Sequence, residues 1–140
     1  LLQGLETLAL RMERHCSNAL AVARYLANHP QVSWVNYAAL DNSPYNTTCQ
    51  KISNGYASGI LSFGIKGGKE AGAKFIDGLK MILRLVNIGD AKSLACHPAS
   101  TTHRQLNVDE LKRAGVSEDM VRYQLELSIL MILLPILNRH

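Results

Sequence analysis

Apolar residues recur at spacings of three and four through Leu5, Leu8, Met12, Cys16, Ala19, Ala23 and Leu26. That stripe predicts an amphipathic helix about 25 residues long. Asn28-His29-Pro30 ends it, because a proline biases the preceding residue away from helix. Val32 to Tyr37, rich in β-branched and aromatic residues, predicts a strand. Asp41 to Gln50 is polar and holds Asn-Ser-Pro, so it predicts a loop. Ala57 to Lys66 alternates, with Leu61, Phe63 and Ile65 on one face and small residues opposite, the clearest strand of the chain. Gly67-Gly68 turns the chain, and Ala71, Phe75, Leu79 and Ile82 mark a second helix. Leu85 to Ile88 and Leu94 to His97 predict short strands. Asn107 followed by Glu110 is a capping-box pattern, and Gly115 suits the far end of that short helix. Met120 to Leu127 alternates strictly and predicts the last strand. This order suits an α+β domain, a largely antiparallel sheet with helices packed on one face.

Composition narrows the function classes. Hydrophobic residues at 47% and charged residues at 19% exclude a disordered tail and a coiled coil. The net charge of +4 is shared equally between the two halves of the chain, so no clustered nucleic-acid footprint is expected. The longest apolar run, Ile129 to Leu137, is too short to span a bilayer. Cys16, Cys49 and Cys96 are odd in number and far apart, which fits a reducing, cytoplasmic setting better than a disulfide framework. The chain opens inside a helical pattern without Met, which hints at something upstream.

Few residues carry recognisable chemistry. His97 and His103 are the closest histidine pair, but no cysteine or carboxylate completes a metal site, so no metal is expected and structural roles are favoured. The glycines at 55, 59, 64, 67 and 68 form no phosphate loop, and close packing and turns account for them better. Asn46-Thr47-Thr48 matches a glycosylation acceptor, yet no secretion signal supports that use. The stretch from Asn87 to His103 is dense in hydroxyls and follows a strand. It reads either as a loop presenting donors to an anion or as a plain polar surface loop. Arg122 falls on the face of the last strand opposite Val121 and Tyr123. There it clamps a carboxylate through two parallel bonds, or is simply a solvated edge arginine.

Asn87 to Leu94 followed by His97-Pro98-Ala99-Ser100-Thr101-Thr102-His103-Arg104-Gln105-Leu106 resembles the signature stretch of O-acetylhomoserine sulfhydrylases. These belong to the pyridoxal-phosphate-dependent enzymes of cystathionine and methionine metabolism. Gly4-Leu5-Glu6-Thr7-Leu8, Trp34-Val35-Asn36-Tyr37, Phe63 to Gly68, Ala114 to Ser117 and Val121-Arg122 carry the same resemblance, which covers about residues 1–122. It implies the small C-terminal domain of a fold-type I enzyme. Residues 1–29 are then a helix leading in, residues 30–127 the substrate-carboxylate-binding domain, and residues 128–140 an aberrant apolar tail. By match, Arg122 binds the α-carboxylate, Ser93 lies beside it, and Thr102 is a weaker candidate for the same pocket. The lysine, aspartate and tyrosine that hold pyridoxal 5′-phosphate belong to the family's large domain, and those motifs are missing from this sequence. No catalytic or cofactor-binding residue is therefore expected here, and the chain alone is expected to be inactive.

The implied parent converts O-acetyl-L-homoserine and sulfide to homocysteine and acetate. A missing large domain, a split partner or a second copy of the chain would be its protein partners, with no nucleic acid and no membrane. A fragment of a cystathionine synthase or lyase and a non-catalytic interaction module are the competing readings. Beyond Arg122 the family shows an acidic helix where this chain turns apolar. With suitable synonymous codons, moving the frame by one base turns Leu125 to Arg139 into Gly-Ile-Glu-His-Ile-Asp-Asp-Ile-Ile-Ala-Asp-Ile-Glu-Gln, so a frameshift is expected near Arg122 to Leu125.

Overall fold

The computed structural model describes residues 2–79, 82–88 and 92–125. The first helical stripe forms two helices, α1 (Leu2–Glu6) and α2 (Leu8–Ala27). The break falls at Thr7, whose backbone leaves the helical region at φ −106°, ψ 4°. Gly4 and Thr7 are weak helix formers. Arg11 steadies the bend by donating to the Thr7 hydroxyl at 3.1 Å and to the Gly4 carbonyl. Only the second half of the stripe is buried. Cys16, Ala19, Ala23 and Leu26 enter the core with Val22, whereas Leu5, Leu8 and Met12 stay exposed.

Strand β1 (Val32–Asn36) follows, then helix α3 (Asn46–Ser53), where the sequence predicts loop. Its only buried side chain is Cys49, so the helix has no apolar period to reveal it. Its first residue fastens it instead: the Asn46 amide donates to the carbonyls of Ala39 and Leu40 at 3.2 and 3.1 Å. That engaged amide also supports a structural role for the Asn-Thr-Thr triplet.

Strand β2 (Ile60–Ile65) leads through Gly67, at φ 107°, into α4 (Gly68–Gly78), which starts earlier than the periodicity predicts. A left-handed residue at that helix start favours glycine. Strand β3 is Leu83–Arg84, displaced from the expected 85–88, and Leu85, Val86 and Ile88 lie exposed. Strand β4 (Leu94–Cys96), a 3₁₀ turn (Pro98–Ser100), α5 (Val108–Arg113) and β5 (Met120–Gln124) complete the order. Residues 126–140, which include the predicted apolar tail, lie outside the described residues.

The five strands make one sheet in the order β1-β2-β5-β4-β3, antiparallel except for the β3–β4 pair. Helices α2 and α4 pack on one face, α2 over β1 and β2, α4 over β2 and β5. The register sets Val35, Phe63 and Val121 in one row, and Leu61, Tyr123 and Ala95 in the next. Phe63, Val121, Leu61, Tyr123 and Ala95 are essentially fully buried in the main core. The Phe63 ring meets Phe75 of α4 edge-on at 5.9 Å and Tyr123 at 6.2 Å. A smaller cluster of Ala99, Leu111 and Val116 packs against Met120.

Candidate carboxylate-binding face

Alternation along the strands sends every second residue to the face opposite α2 and α4. Three cross-strand pairings, Asn36 with Ser62, Ser62 with Arg122, and Arg122 with Cys96, lay one polar row over four strands. Arg122 sits in the middle strand of the sheet, and its half-exposed side chain forms no hydrogen bond or ion pair among the described residues. Burial pushes the Cys96 thiol up, and the neighbouring Arg122 guanidinium works against that rise. Asn36, Ser62, Met120 and Arg122 line a concavity of about 360 Å³ on this face. One wall is Tyr37, whose hydroxyl donates to the Ser58 carbonyl at 2.7 Å.

The nearest acid to Arg122 in sequence is turned elsewhere. Asp119 accepts hydrogen bonds from the Ser33 hydroxyl at 3.0 Å and the Trp34 indole at 3.1 Å. Burial by itself would raise its carboxyl, but these bonds and the nearby Ser117 hydroxyl hold it below the usual carboxylate range. The Ser117 hydroxyl is buried without a well-aligned hydrogen bond, so its contribution is one of proximity. The cluster lies directly over Gly64, where a Cβ would overlap the carboxylate, the indole nitrogen and the Ser33 hydroxyl. Gly64 is thus a close-approach glycine.

The other site residues expected from the sequence are placed less closely. Ser93 is buried, and its carbonyl accepts from the Leu83 amide at 3.1 Å. It lies three residues before Cys96, about 10 Å along the strand direction from the Arg122 row. Thr102 is exposed, its hydroxyl 2.8 Å from His103 Nδ1. Much of the hydroxyl-rich stretch serves its own loop. Thr101 donates to the His97 carbonyl at 2.8 Å, and Ser100 sits 2.9 Å from His97 Nδ1. Residues 89–91 of that stretch lie outside the described ones.

His97 is structural. Its ring is buried, Nε2 donates to the Glu118 carbonyl at 2.8 Å, and Nδ1 is left to accept from the Ser100 hydroxyl at 2.9 Å. A Cβ at Gly72 would strike the ring, so α4 rests directly on it. His15 is buried at the other end of β5, where its Nδ1 donates to the Leu125 carbonyl. Among the described residues no group of three His, Cys, Asp or Glu side chains is placed to hold a metal ion. Nor is any described helix long and apolar enough to cross a membrane. All three cysteines are buried and free.

The sequence placed Arg122 on this face but did not single out Ser62 or Asn36, which the pairing sets in the same row. The small residues opposite Leu61 and Phe63 were the available signal. The pairing that brings Ser62 beside Arg122 joins segments sixty residues apart, and alternation alone does not fix that register.

Pyridoxal phosphate requires an amine poised over a cavity and a cradle for its phosphate. All six described lysines (51, 66, 69, 74, 92 and 112) are exposed, and none lies on a strand. Among the described residues, no lysine is set in the concavity beside Arg122.

The family model described as Cys/Met metabolism PLP-dependent enzyme matches residues 1–127. O-acetyl-L-homoserine sulfhydrylase 1 of Thermus thermophilus is 51% identical over 121 residues, which are 86% of this chain and 29% of that protein. O-acetyl-L-homoserine sulfhydrylase of Leptospira meyeri is 54% identical over 123 residues, 87% of this chain and 28% of that protein. A crystal structure from Campylobacter jejuni, described as an O-acetylhomoserine (thiol)-lyase with N′-pyridoxyl-lysine-5′-monophosphate, superposes with a TM-score of 0.92 at 41% identity. That match covers 99% of this chain and 33% of the other. This chain therefore spans less than a third of the length of these curated relatives. With the fold and the matched sequence in agreement, the chain belongs to the family of Cys/Met metabolism PLP-dependent enzymes.

Proposed function

We propose that this chain is the substrate-carboxylate-binding part of an O-acetylhomoserine sulfhydrylase, an enzyme making homocysteine and acetate from O-acetyl-L-homoserine and sulfide. The observation that carries the reading is Arg122: a guanidinium on the face opposite α2 and α4, beside a concavity, without an ion pair among the described residues. A planar fork of donors suits the two oxygens of a carboxylate. The names of the matched relatives favour the O-acetyl donor and the sulfhydrylase branch. Pyridoxal phosphate supplies the electron sink in this family, and protein groups supply position and charge. Arg122 would hold the α-carboxylate and so fix where the substrate's γ-carbon lies. Ser93 and Thr102 are proposed to border the same pocket, and the free, buried cysteines favour the cytoplasm.

The test is a titration of the chain with O-acetyl-L-homoserine, read at the Arg122 side-chain N–H by ¹⁵N NMR. The substrate should shift that signal and its α-carboxamide analogue should not. Arg122→Ala, followed at the backbone amides of residues 120–124, should weaken binding by about 3 kcal/mol, roughly a hundredfold. Equal binding of the carboxamide would overturn the assignment. The purified chain should be colourless and show no turnover. A bound pyridoxal chromophore on one of its own lysines would contradict the division of labour proposed here.

A further inference from the structure

Arg122 has two same-face neighbours, Cys96 and Ser62, and they differ in kind. Cys96 is 4% exposed, a weak donor on the closed side of the row. Ser62 is half-buried on the open side, directly paired with Arg122 and lining the same concavity. Directly paired residues of an antiparallel ladder hold their Cβ atoms about 5 Å apart. One oxygen atom placed between two such side chains reaches both.

The Ser62 hydroxyl forms no hydrogen bond among the described residues. Nor does Asn36, its neighbour in the row on β1. The other serines about the face are engaged: Ser58 with Ile60, and Ser33 with Asp119. Asp119 is drawn over Gly64 by Ser33 and Trp34, which leaves Arg122 without a counter-ion among the described residues. A carboxylate has about four lone-pair positions, and a bidentate guanidinium fills two. A hydroxyl donor at the side fills a third.

We propose that Ser62 is a second carboxylate-binding residue, donating its hydroxyl to the anion held by Arg122. This rests on the reading of Arg122 above and extends it to a residue on a different strand. The bound anion is a monocarboxylate with room for a side chain along Met120.

The chain should be titrated with sodium propionate and with L-norvaline for the parent, Ser62→Ala, Ser62→Thr and Arg122→Ala, read at the backbone amides of residues 60–64 and 120–124 in all four and also at the Arg122 Nε–H in the three that keep the arginine. Backbone amide spectra would verify that each variant folds. Ser62→Ala should weaken both probes about fivefold, and Ser62→Thr, which keeps the hydroxyl, should restore affinity to within about twofold of the parent. If Arg122→Ala abolishes binding while Ser62→Ala leaves it unchanged, the Ser62 role is overturned and the anchor survives. If the parent shows no shift at Arg122, or Arg122→Ala binds as well as the parent, both readings fall.

Discussion

Asp119 shows how one side chain determines what its neighbour is free to do. Had it turned toward Arg122, the sheet would carry an internal ion pair and the arginine would have no need of a ligand. Gly64 prevents this by leaving a hollow that the carboxylate, an indole and a hydroxyl fill together. The depressed carboxyl has a consequence for acid stability. A group whose folded value lies below its unfolded value stabilises the fold above the unfolded value, about pH 4, and loses that contribution as pH falls through the folded value. Thermal melts of the parent should therefore drop on acidification below about pH 4. Asp119→Asn should melt lower at neutral pH and fall less steeply in acid, and identical slopes would show that the cluster contributes nothing. The sequence placed Arg122 on the right face because strict alternation in a strand settles that. It did not predict the Asp119 cluster, because a glycine hollow leaves no periodic trace.

At the scale of elements, the legible parts were those governed by local chemistry. The capping box before α5 is present in full. Asn107 accepts from the amides of Asp109 and Glu110 at 3.0 Å, and Glu110 accepts from the Asn107 amide at 2.9 Å. Gly115, at φ 72°, follows the helix as its pattern required. Because α5 has only six residues and one buried side chain, its caps are a large share of its stability. Asn107→Ala should cost about 1 kcal/mol. Hydrogen exchange should show that loss over residues 108–113 before it appears in β5, and uniform acceleration across the chain would refute a local role. The elements missed were those fixed from outside. Helix α3 depends on two carbonyls offered by the preceding turn, and β3 on pairing with β4, neither of which local patterning encodes.

Across the described residues, exposed apolar side chains include two local groups. Leu2, Leu5 and Leu10 lie along the first helices at 79%, 54% and 70% exposure, and Leu85, Val86 and Ile88 follow β3. Such patches favour association. The chain should self-associate as concentration rises, and Leu5→Gln with Leu10→Gln should reduce that association in sedimentation measurements. Unchanged association would place the sticky surface elsewhere. Of these residues the sequence placed Leu5 in the apolar stripe of the first helix and Leu85, Val86 and Ile88 in a strand. Periodicity reports which side of a helix is greasy, while only the fold decides whether anything lies against it.

The strand bearing Arg122 is the last of the five in sequence and the middle one in space. Until it arrives, the β1–β2 pair and the β3–β4 pair share no strand, and neither can complete its ladder. The sheet can therefore be completed only once residues 120–124 are free to pair with both. A translation pause upstream of that point would hold two unmatched edges apart, each open to pairing with another molecule.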